Sequence, residues 1–200
     1  MNPIYFFLLA EKQKGKDRNT DPHTSGIQDL IQKHARKYHL GIHPSIQSTQ
    51  DVLCLEREIK LLQYYTDNKT TYSRHHYLTI TIPQTYRSLL AKGIEHDYSM
   101  GYGAINGFRA SIARSFHWYD LLAEKETALM IHPFCYMDST AIFHERLNTE
   151  MALTRMRYFF DVVKKVNGTF SFVMHNHFLT EQAEWIMWRN LYEQFLSECN

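Results

Sequence analysis

The chain alternates between short apolar runs and longer segments in which apolar residues recur every three or four positions. Residues 3–10 form a continuous apolar run, which is typical of a strand buried on both faces of a parallel sheet. Similar runs predict further strands at residues 40–44, 70–74, 94–100, 128–134 and 169–174. The periodic segments between them predict helices that begin at Thr24 or Ser25, at Ser48, at Pro83, at Asn148 or Thr149, and near Thr180.

This alternation of strand and helix favours parallel strands joined by right-handed crossovers, in a barrel or an open sheet. The predicted strands are too few for a complete eight-stranded barrel, which takes about 250 residues. We therefore expect an α/β fold, a single domain over residues 1–200 with an incomplete barrel. Ligands gather at the carboxyl ends of the strands in either architecture, so residues at those ends are the candidates for chemistry.

Composition and charge narrow the class of protein. Apolar residues make up 44% of the chain and aromatic residues 14%, which is enough for a substantial core. The 22 Lys and Arg nearly balance the 21 Asp and Glu, so a nucleic-acid partner is not expected. The apolar run at the start is too short to span a membrane. Cys54, Cys135 and Cys199 are odd in number and far apart, which favours a reducing compartment and a cytoplasmic location for the chain as written.

Histidines are numerous, twelve in all, and five of them follow predicted strands: His43, His75, His76, His175 and His177. Imidazole is a common metal ligand and proton shuttle near neutral pH, so imidazoles that converge at strand ends indicate a metal-assisted hydrolase. His175 and His177 are one residue apart, so on an extended segment both would face one pocket, although a solvent-exposed strand end explains them equally well. A structural role is the alternative for each histidine taken singly, and it is our expectation for His132 inside an apolar strand.

Two arginines and two aspartates also lie near predicted strand ends. Arg74 and Arg109 lie in loops, where a guanidinium could orient a carboxylate or an acetyl-bearing substrate, with a surface salt bridge as the ordinary alternative. Asp97 and Asp138 could each act as a base, an orienting group or a ligand, although such residues commonly cap the following turn.

The order and spacing of these motifs resemble one family, the polysaccharide deacetylases of carbohydrate esterase family four, and in particular the divergent deacetylase-like proteins of Bacteroidetes. The resemblance runs from Pro3 to about Phe195 and rests on six segments: Ile4-Tyr5-Phe6-Phe7, Gly41-Ile42-His43-Pro44-Ser45, Ser73-Arg74-His75-His76-Tyr77, Gly93-Ile94-Glu95-His96-Asp97-Tyr98-Ser99, Gly107-Phe108-Arg109 and Met174-His175-Asn176-His177.

This resemblance implies a distorted (β/α) barrel with mainly parallel strands and a divalent metal, usually zinc, that removes acetyl groups from a carbohydrate. It implies that His43 is a metal ligand, and that His76 takes the place of the family's second histidine, whose position is occupied by Gln47. It further implies that His175 is the catalytic acid, with His177 beside it, and that Arg74, Asp97 and Arg109 bind the substrate.

The family's first motif, a strand that ends in two acidic residues, would precede Ile4. We expect it to be missing from this chain together with the first helix, so that an N-terminal segment or a partner would complete the barrel, and the cellular location of such a longer protein is left open. A catalytically inactive glycan-binding module or a truncated fragment is therefore the alternative to a metal-dependent deacetylase. A sugar-processing enzyme with different chemistry on the same barrel is a third hypothesis.

Overall fold

The structure, a computed structural model, describes residues 3–11 and 15–199, which form two compact units. The first unit comprises the described parts of Met1–Ser99 together with Phe116–His132, and the second comprises those of Met100–Ser115 and Pro133–Asn200. The expectation of a single domain over residues 1–200 stays a prediction. Within the described ranges, no helix combines the length and the apolar composition needed to cross a membrane.

The first unit is built on a six-stranded sheet with the strand order β1-β2-β3-β4-β6-β5. Its strands are β1 Ile4–Phe7, β2 His39–Ile42, β3 Tyr72–Ser73, β4 His96–Asp97, β5 Phe116–Asp120 and β6 Lys125–Ile131. Three helices connect the parallel strands, α1 Ser25–Ala35, α2 Val52–Thr66 and α3 Gln84–Ala91. The strands from β1 to β4 and β6 are parallel, as the alternation of strand and helix predicts.

The strand register sorts the sheet residues onto two faces, because successive side chains point to opposite sides. One row, the buried face, consists of Phe7, Ile42, Ser73, Asp97 and Ile131. Helix α1 covers this face, since the ring of His34 lies 6.1 Å from that of Phe7. The other row, the ring face, consists of Phe6, Gly41, Tyr72, His96 and Met130.

Helix α2 begins later than the sequence predicts. Ser48 lies in a short 3₁₀ turn, Gln47–Thr49, and the helix starts after Asp51. The Asp51 carboxylate accepts hydrogen bonds from the backbone amides of Leu53 and Cys54, so it satisfies two of the donors that a helix start leaves unpaired.

The last two strands of the sheet contradict a strict alternation of strand and helix. β5 and β6 are consecutive and antiparallel, and Asp120 closes the turn between them by accepting from the amides of Leu122 and Ala123. The pairing shifts register between His117 and Tyr119, which marks a bulge in β5. A short turn of this kind carries no helical periodicity, so this connection differs from the expected crossover.

The second unit contains a two-stranded parallel sheet and two long helices. Its strands are β7 Tyr136–Met137 and β8 Phe172–Val173, and its helices are α4 Thr149–Lys165 and α5 Ile186–Glu198. Asn148 caps α4 by accepting from the amide of Met151, in agreement with the sequence. α5 starts six residues later than expected, at Ile186, since residues 180–185 form bends and turns. Buried side chains of α4 and α5, among them Met156 and Phe195, form the core of this unit.

Candidate functional site

Two predicted metal ligands, His43 and His76, lie together at the carboxyl ends of β2 and β3. Their ring centroids are 5.0 Å apart. The parallel ladder continues past the assigned strands, since the amide of His43 donates to the Phe7 carbonyl at 2.9 Å and that of His76 donates to the Pro44 carbonyl at 3.0 Å. The pair is therefore placed by the backbone of the sheet, as the sequence predicts for strand ends.

In both rings the Nδ1 atom is hydrogen-bonded to an oxygen. Nδ1 of His43 is hydrogen-bonded to the Arg74 carbonyl, and Nδ1 of His76 lies 2.8 Å from Oδ1 of Asp17. A carbonyl and a carboxylate only accept, so Nδ1 is the donor in each ring and Nε2 carries the lone pair when the ring is neutral. This pattern is typical of metal-binding histidines, whose second nitrogen is usually held by a carbonyl or a carboxylate.

The described residues fit a catalytic zinc ion only in part. Such sites usually have three protein ligands and one open position. In the ranges 3–11 and 15–199, no group of three or more His, Cys, Asp or Glu side chains is arranged to hold a metal ion. The two imidazoles have the right donor chemistry, but they are one ligand fewer than a catalytic zinc site requires, so we derive no catalytic step through a metal.

Arg74 lies on the ring face, where aromatic side chains line the sheet. Its guanidinium carbon is 4.7 Å from the ring centroid of Phe6. Tyr98 stacks on His132 with a centroid distance of 4.3 Å, and the rings of Phe6 and Tyr98 are 5.5 Å apart. This side of the sheet thus carries a guanidinium packed on an aromatic ring beside a row of stacked rings.

His132 belongs to this ring face as well. Nε2 of His132 lies 3.0 Å from Nδ1 of His96, and burial lowers the pKa of His132 to about 4. Burial also raises the pKa of the Tyr98 hydroxyl to about 12. Both rings are therefore neutral at pH 7, and the packing of His132 agrees with the structural role expected from the sequence.

Asp97, a predicted substrate-binding residue, lies on the buried face of the sheet, opposite to Arg74. It is fully buried, and its two oxygens accept from the amide of Ser99 at 3.0 Å and from the Ser99 hydroxyl at 2.8 Å. The same hydroxyl oxygen accepts from the amide of His75 at 2.9 Å. These bonds hold the ends of β3 and β4 together, so the contacts of Asp97 point to a role in positioning the strand ends that carry the site.

His175 in the second unit is held by a buried carboxylate. Nδ1 of His175 lies 2.5 Å from Oδ1 of Asp138, and the backbone amide of His175 donates to Oδ2 of the same residue. Asp138 is inaccessible to solvent, whereas the His175 side chain is 30% exposed. The two bonds fix the orientation of the ring through its Nδ1 atom. Asp138 therefore acts as an orienting group, which is one of the roles that the sequence analysis allows for it.

His177 does not follow His175 along an extended strand. It lies in the 3₁₀ turn Asn176–Leu179, so the alternation that would point both side chains the same way is interrupted. The two ring centroids are 5.7 Å apart, and the ring of His177 packs on Phe178 at 3.8 Å. Burial, with the neighbouring His175, lowers the pKa of His177.

Arg109 holds a loop of the second unit. Its Nη1 donates to the carbonyl of Gly101 at 3.2 Å. Gly101 is pressed against Phe134, since a Cβ at this position would lie 2.2 Å from Cζ of the ring. The structure thus assigns a loop contact to Arg109, and its role in substrate binding stays a prediction.

Two buried carboxylates near the histidine pair were missed by the sequence analysis. Asp17 lies in an irregular loop with no periodic pattern, yet it is buried and bound to His76. Glu58, which the periodicity places on the polar face of α2, is buried instead, and its Oε2 accepts from the amide of Ser45 at 3.1 Å. Burial raises the pKa of Glu58. Only long-range contacts identify these two residues.

Comparisons with known proteins support the fold. No family model and no curated protein matches the chain. A solved structure from Mycobacterium smegmatis, named as a polysaccharide deacetylase, is similar over 72% of this chain with 12% identity and a TM-score of 0.53. A structure from Bordetella bronchiseptica, named as a polysaccharide deacetylase involved in O-antigen biosynthesis, matches 62% of this chain with 14% identity and a TM-score of 0.44.

The chain spans about half of the length of these solved proteins, 52% of the first and 47% of the second. At 12% identity the likeness to the Mycobacterium smegmatis structure shows the fold alone. The predicted fold class is thereby confirmed: the chain has a mixed α/β fold of the polysaccharide deacetylase type, with a mainly parallel sheet and an incomplete barrel.

Proposed function

We propose that this chain is a carbohydrate deacetylase-like domain that binds an acetylated sugar and uses a divalent cation, with zinc as the expected ion. The observation that carries the proposal is the pair His43 and His76, whose ring centroids are 5.0 Å apart and in which each Nδ1 is hydrogen-bonded to an oxygen acceptor. The fold, which is that of proteins named as polysaccharide deacetylases, supports the same class of substrate.

A bound divalent cation polarises an acyl carbonyl and makes a water molecule more acidic. In this proposal His43 and His76 would hold the ion together with a ligand from outside the described residues, and Arg74 would orient the acyl group or a sugar oxygen through its guanidinium fork. His175, whose Nδ1 is bound to Asp138, is the acid in this proposal: it would donate a ring proton from its own imidazole to the leaving oxygen or nitrogen of the sugar. His177 stays a predicted catalytic partner of His175. Asp97 and Arg109 stay predicted substrate-binding residues, and Asp97 also positions the ends of β3 and β4.

Zinc binding tests the proposal directly. Isothermal titration with zinc should give one binding event for the wild-type chain, and His43→Gln and His76→Gln should each abolish it. His39→Gln is the matched control, because His39 is an exposed imidazole at the start of β2, the strand that His43 directly follows. Acetate release from an acetylated chitooligosaccharide should then depend on zinc and on the same two histidines. Zinc binding that survives both substitutions would contradict the assignment of the ligands.

A catalytically inactive glycan-binding module is the second candidate. The two-histidine ligand set favours it, because it lacks the third protein ligand of a catalytic zinc site. The acidic first motif of the family could supply that ligand if a longer chain or a partner carries it. Binding of the same oligosaccharide to metal-free protein, with neither zinc uptake nor acetate release, would favour the binding module over the enzyme.

A further inference from the structure

The loop between β1 and α1 delivers a buried carboxylate to the histidine pair. Asp17 is 3% exposed, although its neighbours Lys16 and Arg18 are exposed. Its Oδ1 accepts from the amide of Ile46 at 3.0 Å and lies 2.8 Å from Nδ1 of His76. Its Oδ2 accepts from the amide of Ile46 at 3.1 Å and from that of Gln47 at 3.4 Å.

These bonds connect three parts of the chain that are far apart in sequence. Ile46 and Gln47 belong to the turn that follows His43, and His76 follows β3. A single carboxylate therefore holds the backbone after one imidazole and the ring of the other. Because a carboxylate has no proton to donate, the bond to His76 requires the proton of the neutral ring to be on Nδ1 and leaves Nε2 as the acceptor.

We propose that Asp17 is a positioning residue that fixes the tautomer and the orientation of His76, so that Nε2 of His76 is presented beside His43. This inference deepens the proposed function, since it rests on His76 as a ligand of the cation. In this proposal Asp17 acts through His76 and the 46–47 turn, to which the hydrogen bonds described above run. A purely structural role as an anchor for the 45–47 turn is the competing explanation, and it makes no demand on the tautomer of His76.

The tautomer can be measured without metal or substrate. Long-range ¹H–¹⁵N NMR spectra of the metal-free protein distinguish a ring protonated at Nδ1 from one protonated at Nε2, and His76→Gln assigns the signal. We expect the neutral His76 ring of the wild-type protein to carry its proton on Nδ1. In Asp17→Ala the population should shift toward the Nε2-protonated form. Asp21→Asn is the matched control, since Asp21 lies in the same loop and its side chain accepts from the amide of His23.

Asp17→Asn is the second variant, to be used if Asp17→Ala does not fold, because it keeps the size of the side chain. Its side chain has one acceptor oxygen in place of two, so either Nδ1 of His76 or the amides of Ile46 and Gln47 face its NH2 group, and the Nδ1-protonated form should be weakened less than in Asp17→Ala. A wild-type His76 protonated on Nε2 would overturn the proposal. So would folded Asp17→Ala, verified by circular dichroism, in which His76 keeps its proton on Nδ1.

Zinc affinity separates this proposal from the proposed function. Loss of a carboxylate that holds a metal-binding histidine typically weakens metal binding about 10–100-fold, and we expect this range for Asp17→Ala and no change for Asp21→Asn. If the wild-type protein binds no zinc while the tautomer responds to Asp17, the proposed function fails and the positioning role stands. If zinc binds and neither the tautomer nor the affinity responds to Asp17, the positioning role fails alone.

Discussion

His75 makes the stability of the fold sensitive to mild acid. Its side chain is 1% exposed, and its Nδ1 atom has no hydrogen-bond partner among the described residues. Burial lowers the pKa of His75 from 6.5 to about 4. Between these two pH values the His75 ring is neutral in the folded chain, whereas in the unfolded chain it is increasingly protonated as the pH falls through 6.5.

The sign and the size of the effect follow from this difference. The stabilisation is fully present above pH 6.5, and it is lost as the pH falls from 6.5 to about 4, because only the unfolded state gains a proton in this range. Each pH unit in the range costs about 1.4 kcal/mol. Between pH 7 and pH 5 the free energy of unfolding should therefore drop by about 2 kcal/mol through His75 alone.

Urea unfolding of the wild type and of His75→Leu, measured from pH 7 to pH 5 with a metal chelator present, isolates this contribution. The variant has no imidazole to protonate at this position, so its stability should fall by about 2 kcal/mol less than that of the wild type over the same interval. His23→Leu, which removes an exposed imidazole, is the control. Parallel pH curves for the wild type and His75→Leu would refute the reasoning.

Three further changes have defined outcomes. Gly41→Ala should lower the free energy of unfolding by about 1–3 kcal/mol, because the new Cβ would lie 2.6 Å from Cε1 of Phe6, and urea unfolding measures this. Asp138→Asn should destabilise the chain by about 1–3 kcal/mol in the same assay, because two donors of His175 lose a buried charged acceptor. The Cys135 thiol should resist iodoacetamide at pH 8, as followed by mass spectrometry, because burial raises its pKa to about 12 and only the thiolate reacts.

Each of these outcomes has its own control. Gly103→Ala should be tolerated, since a Cβ at that position meets no atom within 4 Å, and equal losses at both glycines would contradict the steric argument. Asp161→Asn replaces an exposed aspartate of the same unit and should leave stability nearly unchanged. Labelling of the unfolded chain shows that Cys135 can react, so rapid labelling of the folded protein would show that the thiol is accessible.

The long periodic helices could be predicted well from the sequence. Helix α4 has a polar cap at Asn148 and a regular apolar stripe, and the structure follows both. Short elements were harder to predict, because local signals compete there. Ser48 and Asp51 are both good helix caps, and the second is used because its carboxylate reaches two amides. The turn after Asp120 contains no glycine or proline to signal the β5–β6 hairpin.

The site could be predicted where it depends on strand ends and could not where it depends on distant contacts. His43 and His76 are brought together by neighbouring parallel strands, which the alternation predicts. Asp97 also ends a strand, but the side to which it points depends on the register of β4, and a shift of one residue reverses it. Asp17 was missed because it lies in an irregular loop, and a loop, unlike a helix face, has no periodic pattern that indicates which residues it contacts.

The bulge in β5 bears on how the protein avoids self-association. β5 is the last strand in the order of its sheet, and such strands offer backbone donors and acceptors to any other chain in extended conformation. The register shift between His117 and Tyr119 breaks the even spacing of those groups, so an incoming strand cannot form a continuous ladder along it. We therefore expect the irregular pairing to disfavour the addition of a further strand at β5, while the parallel strands that carry the histidines keep their register.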